Sequence, residues 1–140
     1  MMIKWNYQFA KVGDRIPELM IKPISRKTLA LYAGASGDHN PIHIDLDFAK
    51  QSGLPDVIAH GMLIMSYLGR ALTDNIDQIN IKEYGVQFSS MTNIGDILAC
   101  NGLVTDLDKK DDKKLLKIDL NVSDQNNDNK LIGYSIVEVS

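Results

Sequence analysis

The stretch Gly61-Met62-Leu63-Ile64-Met65-Ser66-Tyr67-Leu68-Gly69-Arg70-Ala71-Leu72 constrains the fold of this chain more than any other. Met62, Met65, Leu68 and Leu72 recur at spacings of three and four, the mark of one helical stripe. Leu63, Ile64, Tyr67 and Ala71 cover most of the remaining circumference. A helix that is apolar nearly all round must be buried. The run falls short of the ~18 apolar residues that a membrane span requires, so protein has to supply the cover. Gly69 is placed to let a neighbouring backbone approach closely.

The second half of the chain supplies that cover. Ile79 to Met91, Ile97 to Val104, Leu115 to Val122 and Leu131 to Val139 read as four strands. Leu116-Lys117-Ile118-Asp119-Leu120-Asn121-Val122 alternates strictly, which means one wet face and one buried face. In the first strand Ile79 and Ile81 share one phase while Tyr84, Val86 and Phe88 share the other, which predicts a bulge near Lys82-Glu83. Polar links (Thr92 to Asp96, Asp106 to Lys114, Asp124 to Lys130) separate the strands, and such short links favour antiparallel neighbours. The mixed-charge run Asp108 to Lys114 reads as a solvated hairpin tip.

Before the central helix, Glu18 to Ile24 is extended, and Pro17 and Pro23 restrict it to a sheet edge. Ser25 is placed to cap a helix from Arg26 to about Ala35, with Leu29, Tyr32 and Ala33 on its buried face and Gly34 and Gly37 fraying its end. A second short helix starts at Asp45 to Lys50 and ends near Gly53. One buried helix followed by consecutive antiparallel strands makes an α+β fold with a five-stranded sheet curved over the helix. Such a sheet has edges, and pairing with a second copy covers one, so a homodimer is expected.

Composition narrows the function classes. At 140 residues a single domain spanning 1–140 is expected. The charge is 15 − 18 = −3, which offers no footprint for nucleic acid or for an anionic membrane. Met1 to Tyr7 lacks the apolar stretch and cleavage site of a secretory signal. Cys100 is the one cysteine, and a lone thiol fits a reducing compartment. A cytoplasmic protein is the expectation.

The period is lost from Ser36 to His60, and this irregular stretch holds all three histidines. Long irregular connections in small domains are often functional. Asp38 and His43 form a D-x4-H pair across the Asn40-Pro41 turn. A carboxylate and an imidazole in one partly dry pocket suit general acid–base work, because imidazole exchanges a proton near neutrality. The competing reading makes Asp38 a turn cap and His43 a satisfied core residue. His39, His43 and His60, with Asp38 and Asp45, could also be counted as metal ligands. However, Pro41 removes the helical meaning of the His39/His43 spacing, and no second ligand pair follows.

Gly61 opens the buried helix, where first-turn N–H groups lack partners at the positive end of the dipole. With no Cβ at Gly61, a ligand's carbonyl oxygen can approach, and donors placed there would form an oxyanion hole. The plainer reading is a tight loop-to-helix turn. Ser36, Ser66 and Cys100 show no nucleophile elbow or paired base.

Ser36-Gly37-Asp38-His39-Asn40-Pro41-Ile42-His43, with Ala59-His60-Gly61-Met62-Leu63 following, resembles the signature of the MaoC-like R-specific enoyl-thioester hydratases and (3R)-hydroxyacyl-carrier-protein dehydratases. Tyr84-Gly85-Val86-Gln87-Phe88 and Gly95-Asp96 extend the resemblance over nearly the whole chain. It implies a hot-dog fold, a dimer with active sites between subunits, catalysis by Asp38 and His43, carbonyl binding at the Gly61 amide, and a loop braced by Asn40. It also implies acyl-CoA or acyl-carrier-protein thioesters as substrates and no metal or other cofactor, since the thioester itself acidifies C2. The sequence leaves open which of the pair is the base; His43 is favoured, with Asp38 holding the water. Gln87 stands where the family often has arginine, and Gly69 where some hydratases place serine; both bear on pocket shape. Met62, Met65 and Leu68 are candidates for the acyl tunnel. A hot-dog thioesterase and a non-catalytic acyl-binding subunit of a heterodimer are the rival readings.

Overall fold

The structure, a computed structural model, describes residues 5–139. The chain start considered above, Met1 to Lys4, falls outside them. Five strands form one antiparallel sheet: β1 (Leu19–Ile21), β2 (Ile81–Phe88), β3 (Leu98–Lys110), β4 (Lys113–Ser123) and β5 (Asn129–Val139), in the order β1-β3-β4-β5-β2. Among the described residues three α-helices precede β2: α1 (Arg26–Ser36), α2 (Leu46–Gln51) and α3 (Gly61–Thr73). None is long and apolar enough to cross a membrane.

Local chemistry accounts for the helix ends. The Ser25 hydroxyl accepts from the Thr28 amide, and Gly37 closes α1 at φ +77°, a left-handed conformation that costs glycine little. Gly34, by contrast, sits inside the helix without ending it. The Asp45 carboxylate accepts from the amides of Asp47 and Phe48 and so starts α2.

α3 packs against β2, β3, β4 and β5, as a curved sheet requires. Leu68 and Ala71 are fully buried, and Ile64 and Leu72 nearly so. Helix α3 is not covered all round, however. Met62 is 57% exposed, and Ser66 and Arg70 also face outward. The stripe through Met62 therefore divides, with its C-terminal part in the core and its first residue at the surface. Gly69 meets a side chain rather than a backbone, for a Cβ there would touch the Tyr84 ring at 3.5 Å. The Tyr84 hydroxyl donates to Met65 O at 2.6 Å and ties β2 to the helix.

The expected bulge is present: register shifts between Ile81 and Glu83. β2 is shorter than the Ile79 to Met91 run, since Ile79 lies in a 3-10 turn and is 79% exposed. β3 is longer than the Ile97 to Val104 run. Asp106 to Lys110 continues β3, and the link reduces to Asp111-Asp112, both at positive φ (51° and 62°), the two-residue turn whose twist matches a hairpin. β1 is an edge strand, paired only to β3.

Candidate active site

The segment between α1 and α3 folds back on itself through side-chain bonds to its own backbone. Asp38 Oδ1 accepts from the Asn40 amide at 3.3 Å, and Asn40 Oδ1 from the Ile42 amide at 3.1 Å. Pro41 then opens a 3-10 turn over Pro41–His43. The turn carries His43 back toward Ile58, where its Nδ1 donates to the carbonyl oxygen at 2.7 Å. That bond fixes the tautomer. The proton of a neutral ring sits on Nδ1, and the Nε2 lone pair is left free.

Nε2 faces Asp38 Oδ2 at 3.9 Å. The gap is too long for a direct hydrogen bond, yet one oxygen atom can lie about 2.8 Å from both groups. The His43 side chain is 11% exposed and that of Asp38 54%, so the pair spans the boundary between core and solvent. His43 lines a cavity of about 350 Å³, together with Ile58, Gly61, Ile64, Phe88 and Leu131. Met62, Met65 and Leu68 do not line it. The apolar wall comes from Ile64 and from the sheet instead.

Gly61 is the first residue of α3, and among the described residues its amide has no acceptor. The structure adds a packing reason for glycine at this position. The volume a Cβ would fill is occupied by the Phe88 ring, with Cε1 only 2.8 Å from the Cβ position. Absence of a side chain lets β2 close over the helix start.

The structure brings Asp38, His43 and His60 together and leaves His39 and Asp45 apart. His39 is exposed and Asp45 is spent on capping α2. The three that meet each offer a ligand atom within 4.8 Å of the others. However, the His43 and His60 rings are stacked, with centroids 3.8 Å apart and planes at 25°, and His60 Nε2 donates to Asp38 O at 3.2 Å. Stacked rings send their lone pairs side by side, whereas a shared ion needs them convergent. The trio suits hydrogen bonding rather than metal binding.

A second polar cluster reaches the cavity through Lys130, and no motif signals it. Lys130, 4% exposed, donates from Nζ to Met91 O at 2.9 Å and to Asp128 Oδ2 at 3.0 Å. Asp124 Oδ2 is 3.3 Å away and Asp96 Oδ2 3.8 Å. Burial works against the charge. The bonds from Asp128 and Asp124 and the field of Asp96 outweigh it and hold the Lys130 ammonium above the ordinary lysine range.

Residues 9–126 match the family model described as the MaoC like domain, and the chain belongs to that family. It is 28% identical over 122 residues to the mitochondrial 3-hydroxyacyl-[acyl-carrier-protein] dehydratase of Arabidopsis thaliana, covering 87% of this chain and 71% of that protein. It is 31% identical over 104 residues to the (R)-specific enoyl-CoA hydratase of Rhodospirillum rubrum, covering 72% of each. Other curated relatives are much longer, and the match spans only 32% of the enoyl-CoA hydratase ChsH3 of Mycobacterium tuberculosis. The (R)-hydratase from A. caviae has the same hot-dog fold, with a TM-score of 0.80 at 24% identity over 95% of this chain and 99% of that one. The enzymes so named are hydro-lyases, which add water across a carbon–carbon double bond or remove it, and this chain is an enzyme of that class.

Proposed function

We propose that this chain catalyses the reversible hydration of trans-2-enoyl thioesters to (3R)-3-hydroxyacyl thioesters, using Asp38 and His43. The 3.9 Å gap between Asp38 Oδ2 and His43 Nε2 carries this reading. It is the right width for a single water or hydroxyl oxygen bridging a carboxylate and an unprotonated imidazole nitrogen.

In hydration, the held water gives its oxygen to C3 and a proton to the pair, with His43 Nε2 as the base. Electrons move through C2 to the thioester oxygen, which the Gly61 amide receives. The pair then returns a proton to C2. Dehydration runs the same steps backward, with the C2 proton leaving to His43 and the C3 hydroxyl departing as water. The amide acts because it is fixed before charge develops, so no reorganisation is needed as the oxygen becomes negative. Asn40 contributes by bracing the turn between the two working side chains. Neither a metal nor a redox group enters these steps.

The substrate is an acyl-CoA or acyl-carrier-protein thioester whose acyl part lies along Ile64, Phe88 and Leu131. The protein works as a homodimer in the cytoplasm. β2 lies at a sheet edge, and Met62 and Phe88 beside the cavity are 57% and 51% exposed, surface that a second copy would cover. The purified chain should remove the enoyl absorbance of a crotonyl thioester without releasing free thiol. Thiol release at the same rate would instead mark a thioesterase, and no change in either signal would reject catalysis by this chain alone.

A further inference from the structure

His60 is the least expected member of the site. It is 1% exposed, an unusual degree of burial for a ring with two polar nitrogens. Its Nε2 is spent on the Asp38 carbonyl, while Nδ1 is buried and unpartnered. Leaving a buried acceptor unmatched costs free energy, so the side chain must return something for its place. One face of its ring lies on His43, and the Tyr32 ring meets it edge-on with centroids 4.8 Å apart. Its own backbone starts α3, so the Gly61 amide follows directly.

We infer that His60 is a positioning residue which sets both halves of the pair at once, gripping Asp38 through its main chain and backing His43 through its ring. The inference rests on the Asp38/His43 reading above and deepens it. The two contacts add to the Asn40 turn, which links the same two residues through Asp38 Oδ1 and the His43 amide. Asp38 sits on an exposed turn after α1, and among the described residues its other hydrogen bonds are local ones to Ser36 and Asn40. His43 is tethered at Nδ1 to Ile58, and one hydrogen bond does not by itself set the tilt of a ring. A ring stacked on its face removes the tilt. Together they hold the 3.9 Å gap, and reaction rates fall steeply when reacting groups shift by ~1 Å.

The protonation state of His60 supports this role. Burial pushes its pKa down, the Asp38 carbonyl partly offsets that, and charge on His43 lowers it further. The balance favours the neutral ring against His43. The groups packed around it are Tyr32, His43 and Asp38, and among these the Asp38 carboxylate favours its charged form.

The test uses three variants and the wild type. His60→Phe keeps a ring on His43 and loses the donor. His60→Gln keeps a donor for the Asp38 carbonyl and loses the ring. His60→Leu loses both. Each is assayed for crotonyl thioester hydration, with folding checked by circular dichroism. The expected order of kcat is wild type, then the Phe and Gln variants, then the Leu variant at least ~100-fold down, with KM within about threefold throughout. Nitrogen NMR of the wild type at about pH 8 should place the His60 proton on Nε2.

A folded Leu variant with kcat near wild type, a loss confined to KM, or a proton on Nδ1 would each overturn the inference. The NMR measurement needs no variant and decides the matter if the substitutions prevent folding. Full activity in Asp38→Asn or His43→Ala would instead sink the reading of the pair, which keeps the two failures apart.

Discussion

Two clusters of charged and polar side chains each lend a residue, His43 and Lys130, to the lining of the same cavity, and they spend their hydrogen-bonding capacity in opposite ways. Around Lys130, Nζ meets Met91 O and two carboxylates within 3.3 Å, and Asp124 also accepts from the amides of Asn126 and Asp128. Around Asp38 and His43, a carboxylate oxygen and an imidazole nitrogen face each other at 3.9 Å with room for one atom between them. The first cluster is nearly saturated and can only hold things. The second keeps a lone pair and an acceptor unspent, which is what proton transfer needs.

What the Lys130 cluster holds can be traced. Lys130 pins Met91, the neighbouring Thr92 carbonyl accepts from the Ala59 amide at 2.9 Å, and Ile58 beside it accepts from His43. Asp96 Oδ2 further fixes the Asn93 amide at 2.8 Å. The saturated cluster thus clamps the strap against which His43 rests.

The contrast can be broken by removing either side. His43→Ala should lower kcat for crotonyl thioester hydration by about 1,000-fold, and the lost bond to the Ile58 carbonyl and lost ring packing should cost a smaller amount, about 1–2 kcal/mol, in urea unfolding. Lys130→Met should do the reverse. Buried carboxylates lose their cation, and stability falls by about 3 kcal/mol, read from urea unfolding, while the folded fraction keeps activity within about tenfold. Equal effects on rate and stability in both variants would erase the distinction.

The pH dependence of unfolding sharpens it with a smaller effect. Asp128 is held below the usual carboxylate range by the Lys130 bond and then by Ser90. Asp124 is depressed too; burial opposes its charge, but the Asp128 and Asn126 amides and Lys130 prevail. Groups with lowered folded pKa values stabilise above the unfolded value of about 3.9 and lose that contribution as pH falls through the lower folded values. Wild-type stability from this cluster should therefore hold from neutrality down to about pH 4 and decline below it. In Lys130→Met the unpaired carboxylates should have raised pKa values, so the deficit against wild type should shrink steadily as pH falls from about 7 to about 4. A deficit independent of pH would mean that packing rather than charge explains the loss.

The same two clusters show what the amino-acid sequence makes legible. Asp38, His43, Asn40 and Gly61 lie in two short blocks where turn residues and a helix start leave a local signature. Ser25, the Ile81/Glu83 bulge and the α+β order were readable for the same reason, since caps and periodicity act over a few residues. The Lys130 cluster draws on positions 91, 96, 124, 128 and 130, brought together only by the register of β5 against the loops. No periodicity encodes that. Likewise the stacking of His60 on His43 joins residues 17 apart through a loop path, and the Phe88 ring over Gly61 depends on how β2 closes on α3. The overreading of α3 as covered on every side has a related cause: apolarity of a helix says that cover is wanted, not that this chain alone provides it.

The central claim is that Asp38 and His43 act on one bridging oxygen as a unit. It is tested most directly by kcat for crotonyl thioester hydration in Asp38→Asn, His43→Ala and the double variant, with each protein shown to be folded. Groups that work as a unit are not additive, so the double variant should be no slower than the slower single one. Losses that multiply in the double variant would show two groups working independently, and would contradict the claim.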